Sequence, residues 1–123
     1  MSAEAQIDLV QVERVDGVPV VRFRRRTILD PLAVQAVGER LVELVQGEGA
    51  TALVLDFARV ESLTSAMFSK FVLLQQTMEA SGGRVVFCQV DPFLRQIFDV
   101  CRLPASIPVY PTLAEALQAV RAG

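Results

Sequence analysis

The clearest hydrophobic pattern in the chain is a buried strand that leads through a hydroxyl cluster into an amphipathic helix. Residues 52–57 are apolar on both faces of a strand until Asp56, which is typical of a central strand covered on both sides. Thr64 and Ser65 follow, and residues 66–80 then have apolar side chains at helical spacing. The stripe of this helix consists of Met67, Phe71, Leu74 and Met78, with Phe68 and Val72 beside it.

The pattern before this strand predicts a hairpin. Residues 7–14 and 18–24 have the composition of two strands. Asp16 and Gly17 between them accept the positive φ angles that a tight turn requires. Pro19 cannot donate to a ladder, so it suits the start of a strand or the edge of a sheet.

Two further helices are predicted to begin at the same dipeptide. Asp30 and Asp91 are each followed by proline; Asp can cap free N–H groups, and Pro fits the first helical position. Gly47 and Gly49 end the first of these helices, and Pro104 closes the second. The apolar positions are Val34, Val37, Leu41, Leu44 and Val45 in the first helix, and Phe93, Leu94, Ile97, Phe98 and Cys101 in the second.

The C-terminal part adds two strands and a last helix. Residues 84–90 predict a strand after a helix end at 81–83, and a strand, helix and strand in this order imply a right-handed parallel crossover. Residues 107–110 suit a short edge strand. Thr112 and Glu115 form a capping box for a final helix. The apolar positions of that helix are Leu113, Ala116, Leu117 and Val120.

The order of these elements predicts one compact α/β domain. We expect a central mixed sheet of four to five strands, built from the N-terminal hairpin and parallel crossovers, with about four helices. We place this single domain at residues 7–121, after a short disordered lead-in at residues 1–6. A chain of 123 residues is long enough to bury a core without disulfides or metals.

Composition excludes several classes of function. The chain has no histidine, the most common general acid–base and transition-metal ligand, so a Ser-His-acid triad is impossible. A net charge of −2 argues against nucleic acid as a partner. No apolar run approaches the roughly 20 residues of a membrane span, and the N-terminus lacks the layout of a signal peptide. We therefore expect a cytoplasmic protein that is not an enzyme, with no cofactor, metal site or direct membrane insertion.

Two smaller features have plain structural interpretations. Cys88 and Cys101 lack C-x-x-C spacing and are expected to be buried thiols, since the chain has no export signal. Arg24, Arg25 and Arg26 form a basic run that is interpreted as a solvated strand end in preference to a phosphate site. Neither feature predicts a function in this interpretation.

The hydroxyl cluster is the strongest functional signal. Ser62, Thr64, Ser65 and Ser69 lie within eight residues, although the chain has only eleven serines and threonines. Helix capping by Thr64 or Ser65 explains such a cluster structurally. A helix N-terminus also has free N–H donors and a positive dipole end, so a serine there tolerates an added phosphate. In a partner interface, that phosphate would prevent docking through repulsion and desolvation.

The helix after the cluster offers a candidate docking face. Ala66, Ser69, Lys70 and Leu73 lie away from the buried stripe and form a flat, modestly apolar patch. The alternative is an ordinary solvent-exposed face, because single exposed apolar residues are common. A catalytic pair of Ser65 with Lys70 is disfavoured, since residues five apart on a helix do not stack.

Residues 55–68 resemble the corresponding segment of the STAS domain, the family of bacterial anti-sigma-factor antagonists. The family pattern is an apolar strand ending in Asp, a Val a few residues on, and Asp-Ser-Ser-Gly-Leu opening the second helix. Residues 82–83, 91–92 and 111–117 match in order, so the resemblance covers roughly residues 7–120. Three positions differ: Thr64, Ala66 and Met67 stand where Asp, Ser and Gly are usual.

The resemblance implies a protein-interaction switch. In the family, the first Ser of that motif accepts phosphate from a partner Ser/Thr kinase; its position falls on Ser65, with Thr64 as a weaker alternative. The unphosphorylated form binds the kinase, which is also the anti-sigma factor, and so releases the sigma factor. The residues expected to bind the partner are Ser62, Thr64, Ala66, Ser69, Lys70 and Leu73.

Two other functions stay open at this point. A STAS-like accessory or scaffold subunit of a transporter or signalling assembly would never be phosphorylated, and the threonine at position 64 motivates it. A small-molecule or nucleotide sensor is the other, although no ligand-specific feature of the sequence supports it. The sequence fixes neither the oligomeric state nor the identity of the sigma factor and kinase.

Overall fold

A mixed five-stranded sheet forms the centre of the computed structural model, which describes residues 9–100 and 107–122. In chain order the strands are β1 (Val10–Val15), β2 (Val18–Phe23), β3 (Thr27–Ile28), β4 (Ala52–Asp56), β5 (Ser62–Leu63), β6 (Arg84–Cys88) and β7 (Val109–Tyr110). The central sheet has the order β1-β2-β4-β6-β7; β1 and β2 are antiparallel, and the other neighbours are parallel. A separate parallel pair joins β3 to β5. The predicted fold class is therefore confirmed.

Four helices lie in the part of the chain that the structure describes. They are α1 (Pro31–Val42), α2 (Ser65–Ala80), α3 (Pro92–Val100) and α4 (Leu113–Ala122). Helix α1 continues through a π-helical turn (Glu43–Gly47). Each helix is preceded by a side-chain oxygen that accepts a backbone N–H of the first turn, which satisfies a donor that the helix itself leaves free. The four capping residues are Asp30, Thr64, Asp91 and Thr112.

Backbone conformation explains where two predicted segments begin and end. Asp16 and Gly17 have φ angles of 53° and 83°, so the predicted Asp-Gly turn joins β1 to β2. The strand predicted over 84–90 stops at Cys88, because Gln89 takes a left-handed φ of 58°. Residues 1–6, the predicted lead-in, lie outside the described residues.

Both faces of the sheet are covered, which is why β4 is apolar on both sides. Helices α1, α2 and α3 pack on one face, where Phe57 lies at the centre of a phenylalanine cluster. Its ring centroid is 4.8 Å from that of Phe87 and 5.0 Å from that of Phe23. Helix α4 covers the other face, which includes Val54 and the buried free thiol of Cys88. This two-layer cover rigidly positions the ends of the parallel strands.

One apolar position departs from the pattern. Leu94 and Phe98 of α3 are buried as their spacing predicts, but Phe93 is 65% exposed. Phe93 lies in the first turn of α3, and its side chain is directed away from the sheet. Cys101 and Pro104, which the sequence assigns to the same segment, lie outside the described residues.

Gly83 permits a close approach that a larger residue would prevent. A Cβ there would lie 2.8 Å from the Thr51 carbonyl oxygen and 3.2 Å from Cε of Met78. We expect Gly83→Ala to lower the free energy of unfolding by about 1–3 kcal/mol in urea titrations, because backbone must shift to admit the methyl group. Gly47→Ala is the control, since its Cβ would make only an ordinary 3.5 Å contact with Glu43. Equal stability of the two variants would contradict the argument.

Candidate functional site

A short ladder fixes the chain immediately before α2. Thr27 pairs with Ser62 and Ile28 with Leu63, in parallel. The N–H groups of Glu61 and Ser62 also donate to the Arg26 carbonyl, at 2.7 and 3.1 Å. The sequence did not predict this ladder, because two residues per strand are too few for a period to be recognised. It ties the loop that carries the hydroxyl cluster to the chain that leads into α1.

The first turn of α2 separates the roles of two hydroxyl groups. Thr64 has an extended backbone, and its Oγ1 accepts from the Met67 N–H at 3.4 Å, so Thr64 is the cap. Ser65 is the first residue of α2 and is exposed. Within residues 9–100 and 107–122, its hydroxyl makes no hydrogen bond. Ser65 therefore presents a free hydroxyl at the positive end of the helix dipole.

The other residues assigned to the docking face differ in exposure. Ala66 and Ser69 are exposed, and Leu73 is 51% exposed. Ser62 is half-buried in β5. Lys70 is also half-buried, because its aliphatic stem lies against α1, with Cδ 2.9 Å from where a Cβ on residue 38 would be. The main structural role of Lys70 is therefore to pack its aliphatic stem between α1 and α2.

Two of the residues that differ from the family pattern have clear structural roles. Thr64 caps α2, as an Asp at that position could. Met67 is fully buried and packs in the core beneath α2. The methionine therefore does not alter the exposed surface next to Ser65.

Two exposed leucines flank the start of α1, which packs beside α2, and both were missed by the sequence analysis. Leu29 and Leu32 are 50% and 74% exposed. Leu29 follows β3 just as Thr64 follows β5, and α1 packs beside α2. One sequence signal could have identified these leucines. They lie on either side of the Asp30 cap and outside the apolar spacing of α1. We define the α1–α2 surface by its exposed members: Leu29, Leu32, Ser65, Ala66, Ser69 and Leu73.

A buried carboxylate joins the ends of three strands near this surface. Asp56 is 3% exposed, and its carboxylate accepts from the Ala58 N–H at 3.0 Å. It also accepts from Nε of Arg22 at 3.2 Å and from Nε2 of Gln89 at 2.9 Å. These three donors offset the cost of burying the carboxylate, which would be high if the group were unpaired. Hydrogen bonds to Glu13 and Asp56 raise the pKa of Arg22 above its ordinary value, although burial opposes the shift.

Cys88 lies beside this carboxylate. Burial raises the pKa of the Cys88 thiol to about 12 from an ordinary 9.0, and the negative charge of Asp56 adds to the shift. The nearby Arg22 guanidinium opposes it. The thiol is therefore protonated and inert at neutral pH, since the thiolate is the reactive form.

The raised pKa of Cys88 predicts an alkaline loss of stability. The unfolded thiol loses its proton above 9.0, whereas the folded thiol keeps it until about 12. Below pH 9 the raised pKa makes its full contribution to the free energy of unfolding. This contribution decreases as the pH rises toward 12, with a slope of up to about 1.4 kcal/mol per pH unit. We expect Cys88→Ala to show a shallower decline than wild type in urea titrations over this range. Parallel declines would contradict the assignment.

Two features are absent from the part of the chain that the structure describes. None of the helices in this part of the chain is long and apolar enough to cross a membrane. The same residues contain no group of three or more acidic or cysteine side chains arranged to hold a metal ion.

Several solved structures share this fold. An anti-sigma factor antagonist from Mycobacterium paratuberculosis is 29% identical, with a TM-score of 0.79, and the match covers 91% of this chain and 92% of that one. The phosphorylated form of the Bacillus cell fate determinant SpoIIAA is 20% identical, with a TM-score of 0.70 and coverage of 91% and 99%. A variant of RsbS from Moorella thermoacetica is 19% identical, with a TM-score of 0.73 and coverage of 92% and 95%.

A match to a family model identifies the family of this chain. Among curated protein sequences, none is significantly similar to this chain. The family model of the STAS domain, however, matches residues 9–116. That range extends from the residue before β1 to the first turns of α4 and includes the site at Ser65. The chain therefore belongs to the STAS domain family.

Proposed function

We propose that this protein is a non-enzymatic interaction switch of the anti-sigma-factor antagonist type. It binds a Ser/Thr kinase that acts as an anti-sigma factor, and phosphorylation of Ser65 releases that partner. The observation that carries the proposal is the exposed hydroxyl of Ser65 at the first position of α2, with Thr64 serving as the cap. The antagonist from Mycobacterium paratuberculosis, at 29% identity, and the phosphorylated SpoIIAA structure support it. We place the switch in the cytoplasm, where sigma factors act.

The location of Ser65 separates the effect of a phosphate on binding from its effect on folding. A phosphate adds about −1.5 to −2 charge at pH 7. At the N-terminus of α2 that charge meets free N–H groups and the positive end of the dipole, so the fold tolerates it. In a complex, the same charge would be enclosed among the leucines of the α1–α2 surface, where desolvation is costly. The modification therefore weakens docking and leaves the domain folded.

Ser65 is preferred over Thr64 as the acceptor for a structural reason. Thr64 is half-buried, and its hydroxyl oxygen already accepts a hydrogen bond from the Met67 N–H. A kinase would have to break that cap to reach it, at a cost of about 1 kcal/mol. The Ser65 hydroxyl carries no such cost.

Substitutions at Ser65 test the switch. We expect Ser65→Asp to weaken binding of the kinase co-purified from native extract, and Ser65→Ala to bind it even in the presence of ATP. Both variants should unfold within about 0.5 kcal/mol of wild type, as exposed substitutions usually do. Thr64→Ala is the matched control, since loss of the cap should cost about 1 kcal/mol without abolishing phosphorylation. Calorimetric titration measures affinity, and mass spectrometry locates the phosphate.

Two results would reject this mechanism. Equal affinity of Ser65→Asp and Ser65→Ala for the kinase would show that Ser65 does not lie in the interface. Absence of phosphate from both Ser65 and Thr64 after incubation with the kinase and ATP would favour the unphosphorylated accessory subunit instead.

The leucines of the α1–α2 surface provide an independent test. Leu32 is 74% exposed, so Leu32→Gln should not destabilise the domain, but we expect it to weaken kinase binding by about tenfold, as loss of a buried interface leucine would. Val100→Gln is the control, because Val100 is 83% exposed at the far end of α3. Similar losses for both variants in the same calorimetric titration would show that the α1–α2 surface is not the docking site.

A further inference from the structure

A polar cavity of about 370 Å³ lies at the carboxyl ends of β2 and β4. The residues that line it include Arg22, Arg24, Asp56, Arg59 and Gln89. Arg24 directly follows β2, and Arg59 comes from the loop after β4. In α/β folds, small ligands bind outside the carboxyl ends of parallel strands, in cavities of about this size.

The charge of this cavity is positive, although the chain carries a net charge of −2. Asp56, the carboxylate of its wall, is already occupied by three donors, Arg22 among them. The side chains of Arg24 and Arg59 make no ion pair within residues 9–100 and 107–122. Two permanently charged arginines from separate segments therefore line one cavity, and neither is paired with a carboxylate in the described residues.

Gln89 adds a neutral donor group to the same wall. Its left-handed φ of 58° is uncommon for a residue other than glycine, and its side-chain amide donates to Asp56 at 2.9 Å. This bond holds the carboxylate oxygens toward Gln89 and Arg22. The Arg22 guanidinium, which donates to the same carboxylate at 3.2 Å, offsets its negative charge, so Asp56 repels an anion less than an unpaired carboxylate would.

We propose that this cavity binds a small organic phosphate, held by the guanidinium groups of Arg24 and Arg59. Arginine forms paired hydrogen bonds with phosphate oxygens, and two arginines that line one cavity match a group with two negative charges. An acidic segment of a protein partner fits less well. Arg24 and Arg59 also line an adjoining cavity of about 450 Å³, where such a segment would meet the carboxylates of Glu61 and Asp91.

This inference extends beyond the proposed switch and does not depend on it. It concerns Arg24 and Arg59, whereas the switch concerns Ser65 and the α1–α2 surface. Failure of either proposal leaves the other standing. The basic run predicted to be a solvated strand end is indeed exposed, but Arg59, far away in sequence, joins it in one cavity.

Calorimetric titration of the full chain with inorganic pyrophosphate tests the proposal. We expect saturable binding with one site, and we expect Arg59→Gln to weaken it by about tenfold or more, because each charge-assisted bond to phosphate is strong. Arg25→Gln is the matched control, since Arg25 is exposed in the same basic run but lines neither cavity. Its affinity should equal that of wild type. In NMR spectra, the amide signals of Ala58 and Gln89 should shift during the titration.

Three results would overturn the proposal. The first is the absence of saturable heat with pyrophosphate while circular dichroism shows a folded protein. The second is an equal loss of affinity in Arg59→Gln and Arg25→Gln, which would indicate general charge attraction. The third is tighter binding of a hexaglutamate peptide than of pyrophosphate, which would indicate that the cavity binds an acidic protein segment.

Discussion

The buried carboxylate of Asp56 is the interaction on which the functional end of the molecule depends. It joins Arg22 in β2, the loop after β4 through the Ala58 N–H, and Gln89 at the end of β6. Three neighbouring strands are thus held at one edge by a single charged group. Breaking a buried network of this kind leaves an uncompensated charge in the interior. The loop that leads to Ser65 starts from this fixed point.

Much of the fold could be predicted because its determinants are local. The turn at Asp16 and the caps at Asp30, Asp91 and Thr112 depend on residues within a few positions of each other. The doubly covered strand β4 was equally clear, since its apolar run reports burial on both faces. Each of these signals lies in a short segment of sequence, and the elements that they predict occur in the structure in the same order.

The two proposed surfaces were harder to predict because they depend on contacts between distant segments. The β3–β5 ladder, which brings Leu29 beside the start of α2, spans 35 residues and contains only two pairs. The presence of Arg24 and Arg59 in the lining of one cavity has the same cause, and so does the three-way pairing of Asp56. A sequence pattern could identify each residue as exposed or buried. Only the strand order determines which of them share a surface.

The two proposed surfaces share one feature, although they are built from different elements. Ser65 lies at a helix end whose cap is supplied by its neighbour, so a charge can be added there without disturbing the core. Arg24 and Arg59 line a cavity whose carboxylate, Asp56, already has three donors, so an anion bound there would not need those donors. In both places a neighbouring residue satisfies the local structural requirement and leaves the functional group unoccupied. This arrangement would let the domain keep its fold when a phosphate is added at Ser65 or an anion binds at Arg24 and Arg59.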